Sequence, residues 1–256
     1  MQKALQEMIR NKLTSIQRIE VSNDRIGNQD ILSMVMQSDM EKIRLSLEEV
    51  DREQFRQAVE AIVSARRIYI LGVRSATALA SFLGFYFNLI FENVVLMHTT
   101  SVSEVFEQML RVGREDAVIG IGFPRYYMRT LKALEFANDR NAKVITITDS
   151  VHSPMCLYSS CNLFAASDMV SIVDSLVAPL SVINALVVAL CLKQPQTVRE
   201  SLESLEVVWN NYQVSMHDEI DRIDEDSLFT LPGAGGLRRE ASDEERILYT
   251  ERDGQT

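Results

Sequence analysis

The chain is poor in cysteine and histidine, and it nowhere concentrates positive charge. Its 256 residues include three cysteines, Cys156, Cys161 and Cys191. An odd, low count argues against a disulfide framework and fits a reducing cytoplasm. His152, Cys156 and Cys161 are too loosely spaced for a structural metal site, which ordinarily shows paired short spacings. No metal or other cofactor is expected. The net charge is −10: residues 1–66 carry 10 basic and 11 acidic groups, residues 67–193 carry 10 of each, and residues 194–256 carry 6 and 15. No stretch is basic enough to track a nucleic-acid backbone. The opening MQKALQEMIRNKL has mixed charge and no apolar h-region, unlike a signal peptide. The most apolar run, Met169 to Leu192, is broken by Asp174, Pro179, Asn184 and several serines. It reads as a buried helix and not as a membrane span.

What is present is ordinary globular material, 46% hydrophobic and 24% charged, enough for a real core. Gln2 to about Arg18 has helical periodicity, and Ser22 to Asn28 is a polar turn. A longer helix is expected from about Gln29 to Val50, with a near-heptad stripe of Leu32, Met36, Met40, Ile43, Leu47 and Val50. Asp51 then reads as an N-cap, with Gln54 completing a capping box.

From Arg67 the pattern changes to short apolar runs alternating with helices. Strands are expected at Arg67–Leu71, Val94–Met97, Asp116–Ile121, Lys143–Thr148 and Asn162–Ala165. Helices are expected at Ser75–Phe91, Ser101–Arg111, Tyr126–Arg140 and Val170–Leu192. Strands apolar throughout, alternating with helices, predict a parallel sheet covered on both faces. Ligands bind such sheets at the carboxyl ends of the strands. One more helix is expected from Gln194 to about His217, striped by Val198, Leu202, Leu205, Trp209, Tyr212 and Met216. Composition predicts disorder from roughly Leu231 onward.

Two loops stand at the predicted carboxyl edge. After the first strand comes Gly72-Val73-Arg74-Ser75. Its serine opens a helix, where free N–H groups favour an anion. A serine there is as readily a plain N-cap. After the third strand comes Gly120 to Tyr127. Pro124 shapes that turn, Arg125 offers a bidentate grip on phosphate or carboxylate, and Tyr126, Tyr127 and Thr130 add hydroxyls. Its plainer reading is a rigid turn with a solvated arginine. The segment His98–Ser103 brings Thr99, Ser101 and Ser103, any one of which serves equally as a helix cap. Asp149 is expected as a turn or cap residue. For acid–base chemistry, His98 with nearby Glu104 is the reasonable pair.

The segments IYILGVRSATALASFLGFYFNLI, DAVIGIGFPRYYMRTLKALEFANDRNAKVITITDSVHSP and DMVSIVDSLVAPLSVINALVVAL resemble a SIS (sugar isomerase) domain. More narrowly, they resemble the sensing half of MurR/RpiR-type transcription regulators. The resemblance implies an α/β, flavodoxin-like three-layer fold with a five-stranded parallel sheet, preceded and followed by helices. It implies a homodimer or homotetramer and a small anionic sugar derivative, typically a phosphosugar, as ligand. It implies a regulator and not an enzyme, with a sugar-phosphate isomerase as the alternative. The expected organisation is a helical connector over 1–65, the SIS domain over 66–193, a helix over 194–226 and a disordered tail over 227–256. The expected ligand contacts are Gly72, Arg74, Ser75, Thr99, Ser101, Ser103, Gly122, Arg125, Tyr126, Tyr127 and Thr130. The family's second loop is a Ser-x-Ser-Gly-x-Thr phosphate cradle. Here that stretch is Gly122-Phe-Pro-Arg-Tyr-Tyr127, so a charged donor stands in place of hydroxyls. Such regulators begin with a helix-turn-helix domain, and residues 1–66 lack its pattern. DNA is therefore expected as a partner only where such a domain lies upstream. No membrane partner is expected.

Overall fold

A computed structural model describes residue 17 and residues 30–98, 100–167, 169–170 and 173–212. The expected first helix (apart from Gln17, which is helical), the 22–28 turn, Thr99, the end of the last helix and the tail lie outside the described residues. The chain divides into two compact units, Met1–Glu203 and Ser204–Thr256.

Two helices precede the sheet: α1 (Ile31–Glu49) and α2 (Arg52–Val63). Asp30 caps α1 through the Leu32 N–H, so the helix starts two residues later than expected. Asp51 caps α2 by accepting from the N–H groups of Glu53 and Gln54. The expected capping box is only half formed. The Gln54 carbonyl oxygen accepts instead from the Asn162 N–H, 2.7 Å away, and so ties α2 to the last strand of the sheet.

The elements then run β1 (Ile68–Gly72), α3 (Ala76–Ile90), β2 (Val94–Leu96), α4 (Val102–Gln108), β3 (Ala117–Ile121), α5 (Met128–Asp139), β4 (Lys143–Thr148), a 3-10 turn (Pro154–Leu157) and β5 (Cys161–Phe164). All five strands are parallel, in the order β2-β1-β3-β4-β5. Side chains alternate between the two faces, as a period of two requires. Ile68, Ile70, Ile119, Ile121, Ile145 and Ile147 pack against α2 and α3 on one face. Tyr69, Leu71, Val118 and Val144 pack against α4 and α5 on the other. β1 and β3 are buried along their whole length, which is why they read as unbroken apolar runs. At their amino ends, fully buried Asp116 accepts a two-pronged bond from Arg66, 3.0 and 2.8 Å, and a third from the Gly113 N–H.

One expectation fails between residues 169 and 176. The predicted helix from Val170 begins only at Val177. Ahead of it, β6 (Met169–Val170) and β7 (Val173–Asp174) form an antiparallel ribbon, and α6 then spans Val177–Lys193. Pro179 carries the reason. Proline lacks an N–H and fits only the first turn of a helix, so the helix starts two residues before it. The last helix, α7, spans Pro195–Asn211. Val198 of its stripe packs on the core, while Leu202 stays exposed. Among the described residues no single helix is long and apolar enough to cross a membrane.

The strap from Ala166 to Ser175 is bonded to α1. The Ala166 N–H donates to Ser46 Oγ at 2.8 Å, and Ser175 Oγ donates to Asp39 Oδ1 at 2.6 Å. Nearly buried Lys42 lies 3.6 Å from the same carboxylate. A neighbouring face of α1 is apolar and open: Leu32, Met36, Met40 and Leu47 are each more than half exposed.

Candidate ligand site

Strand order reverses direction at β1. The chain leaves β1 over α3 toward β2, and leaves β3 over α5 toward β4, on opposite faces of the sheet. Gly72 and Ile121 are register partners, so the two departing loops start side by side and diverge. A divergence of this kind opens a crevice at the carboxyl ends of the strands. Here it is a cavity of about 550 Å³, lined by residues 73–76, 121–127, Thr130, Met155 and Asp174. That is the size range of small-ligand sites.

Gly72 lets the first loop form. A Cβ there would lie 2.3 Å from the Ala76 carbonyl oxygen, a backbone atom that cannot yield. The next residues hold the main feature of the site. Arg74 and Arg125 both occupy the left-handed region, with φ of 58° and 74°. A third such residue among those described, Asn141, is of a type that visits this region routinely, just past the end of a helix. An arginine there costs about 1 kcal/mol or more. Both strained arginines line the same cavity, and neither forms an ion pair with any described residue. The Arg74 guanidinium lies over the Tyr127 ring, 5.5 Å from its centroid.

Of the expected contacts, Arg74, Ser75, Gly122, Arg125, Tyr126, Tyr127 and Thr130 line the cavity. Gly72 ends β1 just beneath it and is buried. Ser101 and Ser103 do not line it. They lie 3.1 Å from each other, and Ser101 caps α4 by accepting from the Glu104 N–H. The plain capping reading holds there. Ser75 does not act as a cap. Its backbone is already helical, its side chain makes no capping bond, and its hydroxyl donates to Asp174 at 3.2 Å. The second loop is not helical as far back as expected, since α5 begins at Met128 and leaves Tyr126 and Tyr127 in the loop.

His98 and Glu104 lie outside the cavity lining. The Glu104 carboxylate accepts from the Thr100 N–H at 2.6 Å and the Thr100 hydroxyl at 2.8 Å. Those bonds, the backbone one foremost, hold its pKa below the ordinary glutamate value. It is a loop brace and not a poised base. Cys156 lies within 3.7 Å of the Ser150 carbonyl oxygen, and burial raises the thiol pKa of Cys156 and of Cys161. No group of three or more metal-binding side chains occurs among the described residues.

Sequence reasoning missed Phe123, Met155 and Asp174. Among the described residues, Asp174 is the one carboxylate lining the cavity. Only Pro179 hinted at its place, by fixing where the following helix starts.

A parallel sheet with helices on both faces and an arginine-bearing crevice at its switch point defines a doubly wound α/β domain. The SIS domain model matches residues 61–189, half of the chain, and the chain therefore belongs to the SIS domain family. The sugar isomerase domain of an RpiR transcription factor from Sphaerobacter thermophilus superposes with a TM-score of 0.66 at 27% identity, covering 70% of this chain and 99% of that one. The Vibrio vulnificus NanR protein complexed with ManNAc-6P has a TM-score of 0.63 at 21% identity, covering 77% and 75%. A phosphoheptose isomerase from Francisella tularensis has a TM-score of 0.53 at 14% identity, covering 63% and 98%. The last two likenesses show the fold alone. Solved structures of this fold thus include a transcription factor and an isomerase. A search of curated proteins finds no match.

Proposed function

We propose that this SIS domain is the sensor module of an RpiR-type transcriptional regulator, binding a small anionic sugar derivative, a phosphosugar or a close relative of one, at the carboxyl ends of β1 and β3. The observation that carries the reading is the convergence of Arg74 and Arg125 on one cavity, both strained and neither ion-paired among the described residues. Backbone strain of this kind persists where the surrounding structure over-determines it, commonly at ligand sites. NanR, of the same fold, is a sugar-phosphate complex, which supports the ligand class.

Cytoplasmic residence and assembly as a homodimer or homotetramer belong to the same proposal. The open stripe on α1 continues into an apolar groove of about 270 Å³ between Ile43, Leu47, Val50 and Phe55 on one side and Val182 and Ala185 on the other. DNA is a partner only through a helix-turn-helix domain joined upstream. The alternative, aldose–ketose isomerisation, needs a base in the cavity. Asp174, already accepting from Ser75, is the carboxylate that would have to serve.

Calorimetry or thermal shift against a panel of sugar phosphates tests the reading. A ligand at a hundred times its Kd stabilises the native state by about 2.7 kcal/mol, so a true ligand raises the melting temperature measurably. Arg125→Ala and Ser75→Ala should lose that rise. No response from any panel member, with both variants indistinguishable from the parent, would end the proposal. Turnover of a panel member would favour the isomerase.

A further inference from the structure

A left-handed arginine does not stay in place unaided. Tyr127, which precedes α5, makes no capping bond through its side chain. The bracing comes from the residue beside Arg125. The Tyr126 hydroxyl donates to Asp149 Oδ1, joining the loop after β3 to the loop after β4 across 23 residues of sequence. Asp149 is backed in turn. Thr148 Oγ1 lies 3.3 Å from the same carboxylate oxygen and 2.9 Å from Ser153 Oγ, and Ser153 accepts from the Met155 N–H. Thr148, Ser153 and Met155 are buried. The Met155 sulfur closes the circuit beneath Gly122, 2.8 Å from where a Cβ would stand. The cluster thus ties the Arg125 loop at Tyr126 and packs beneath its start at Gly122.

We propose that Tyr126 and Asp149 are positioning residues: their bond sets the turn that aims Arg125 into the cavity, and they govern anion affinity through that arginine. The inference rests on reading the cavity as an anion site. Burial, followed by the Asp149 charge, raises the Tyr126 phenol pKa above its ordinary value, so the phenol remains the donor into alkaline pH. A bond to a carboxylate in a partly buried setting is among the stronger hydrogen bonds. Its geometry also joins two short runs of the sequence. Phe-Pro-Arg-Tyr supplies the arginine with its brace, and Thr-Asp-Ser with the later Ser-Pro supplies the anchor.

The test is calorimetric titration of the full chain with inorganic phosphate and with glucose 6-phosphate, with thermal unfolding run alongside to confirm folding. Tyr126→Phe and Asp149→Ala should each weaken binding about tenfold. Asp149→Asn keeps an acceptor oxygen and should lose less than about threefold. In an Arg125→Ala background, Tyr126→Phe should change affinity by less than about twofold, because a loss that runs through Arg125 is not taken twice. A merely structural tyrosine would show the same loss in both backgrounds, and that result overturns the proposal. So does wild-type affinity in Tyr126→Phe. If Arg125→Ala itself binds as tightly as the parent, the anion reading of the cavity falls, and the positioning role with it.

Discussion

Arg74 and Arg125 are each followed by a residue whose hydroxyl donates to an aspartate on a later element: Ser75 to Asp174, 99 residues on, and Tyr126 to Asp149, 23 residues on. The surroundings differ. The Tyr126–Asp149 bond is backed by buried Thr148 and Ser153. The Ser75–Asp174 bond is 3.2 Å long, exposed, and its acceptor sits on a two-stranded ribbon. An anion settling at the start of α3 would compete for the Ser75 hydroxyl and repel the Asp174 carboxylate. If the cavity takes the proposed anion, one loop is braced before it arrives, and the other holds a contact that it can exchange. Two loops alike in backbone would then divide the work through the side chain that follows the arginine.

The glycines give the sharpest contrast. Gly72→Ala should destabilise by about 3 kcal/mol, since the new methyl meets a backbone carbonyl, whereas Gly122→Ala meets the Met155 thioether, which can turn aside, and should cost about 1 kcal/mol. Urea unfolding of both measures this, and equal losses would erase the distinction. Next comes affinity. Arg125→Ala should weaken phosphosugar binding roughly thirtyfold and Arg74→Ala roughly fivefold, because a preorganised donor loses more when removed. The reverse order in calorimetry would make the β1 loop the principal grip. Asp174→Asn keeps an acceptor for Ser75 but removes a like charge, so inorganic phosphate should bind roughly threefold tighter. Weaker binding would mean that the carboxylate itself is needed. The smallest effect is on pH. The folded pKa of Tyr126 is raised, so what its bond contributes is fully present below the ordinary tyrosine value near ~10 and lost as pH climbs through the folded value. Tyrosinate absorbance should show one late-ionising phenol, absent from Tyr126→Phe.

The sheet was legible because β1 and β3 are buried on both faces, which leaves an unbroken apolar run in each. The crevice was legible because glycine-ended loops after such strands part where the strand order reverses. The pairings inside it were not. Ser75 to Asp174 and Tyr126 to Asp149 are long-range bonds between residues that each have a plausible local role as cap or turn. Gln54 shows the same limit: its local pattern promised a capping box, and a backbone N–H from β5 took its oxygen. The ribbon before α6 was hidden for another reason. Met169 to Leu192 is apolar enough to read as a single helix, and only Pro179 marks where the helix can begin.

The bond from Ser175 to Asp39 makes α1 party to whatever happens at the cavity, since Ser175 directly follows Asp174 in the chain. Linkage runs both ways. If ligand moves Asp174 and thereby strains the hold on α1, then anything that grips α1 must alter ligand affinity by the same factor. The open stripe of Leu32, Met36, Met40 and Leu47 on that helix is where such a grip would act. Assembly and ligand binding would then be two readings of one equilibrium, and ligand affinity would depend on protein concentration.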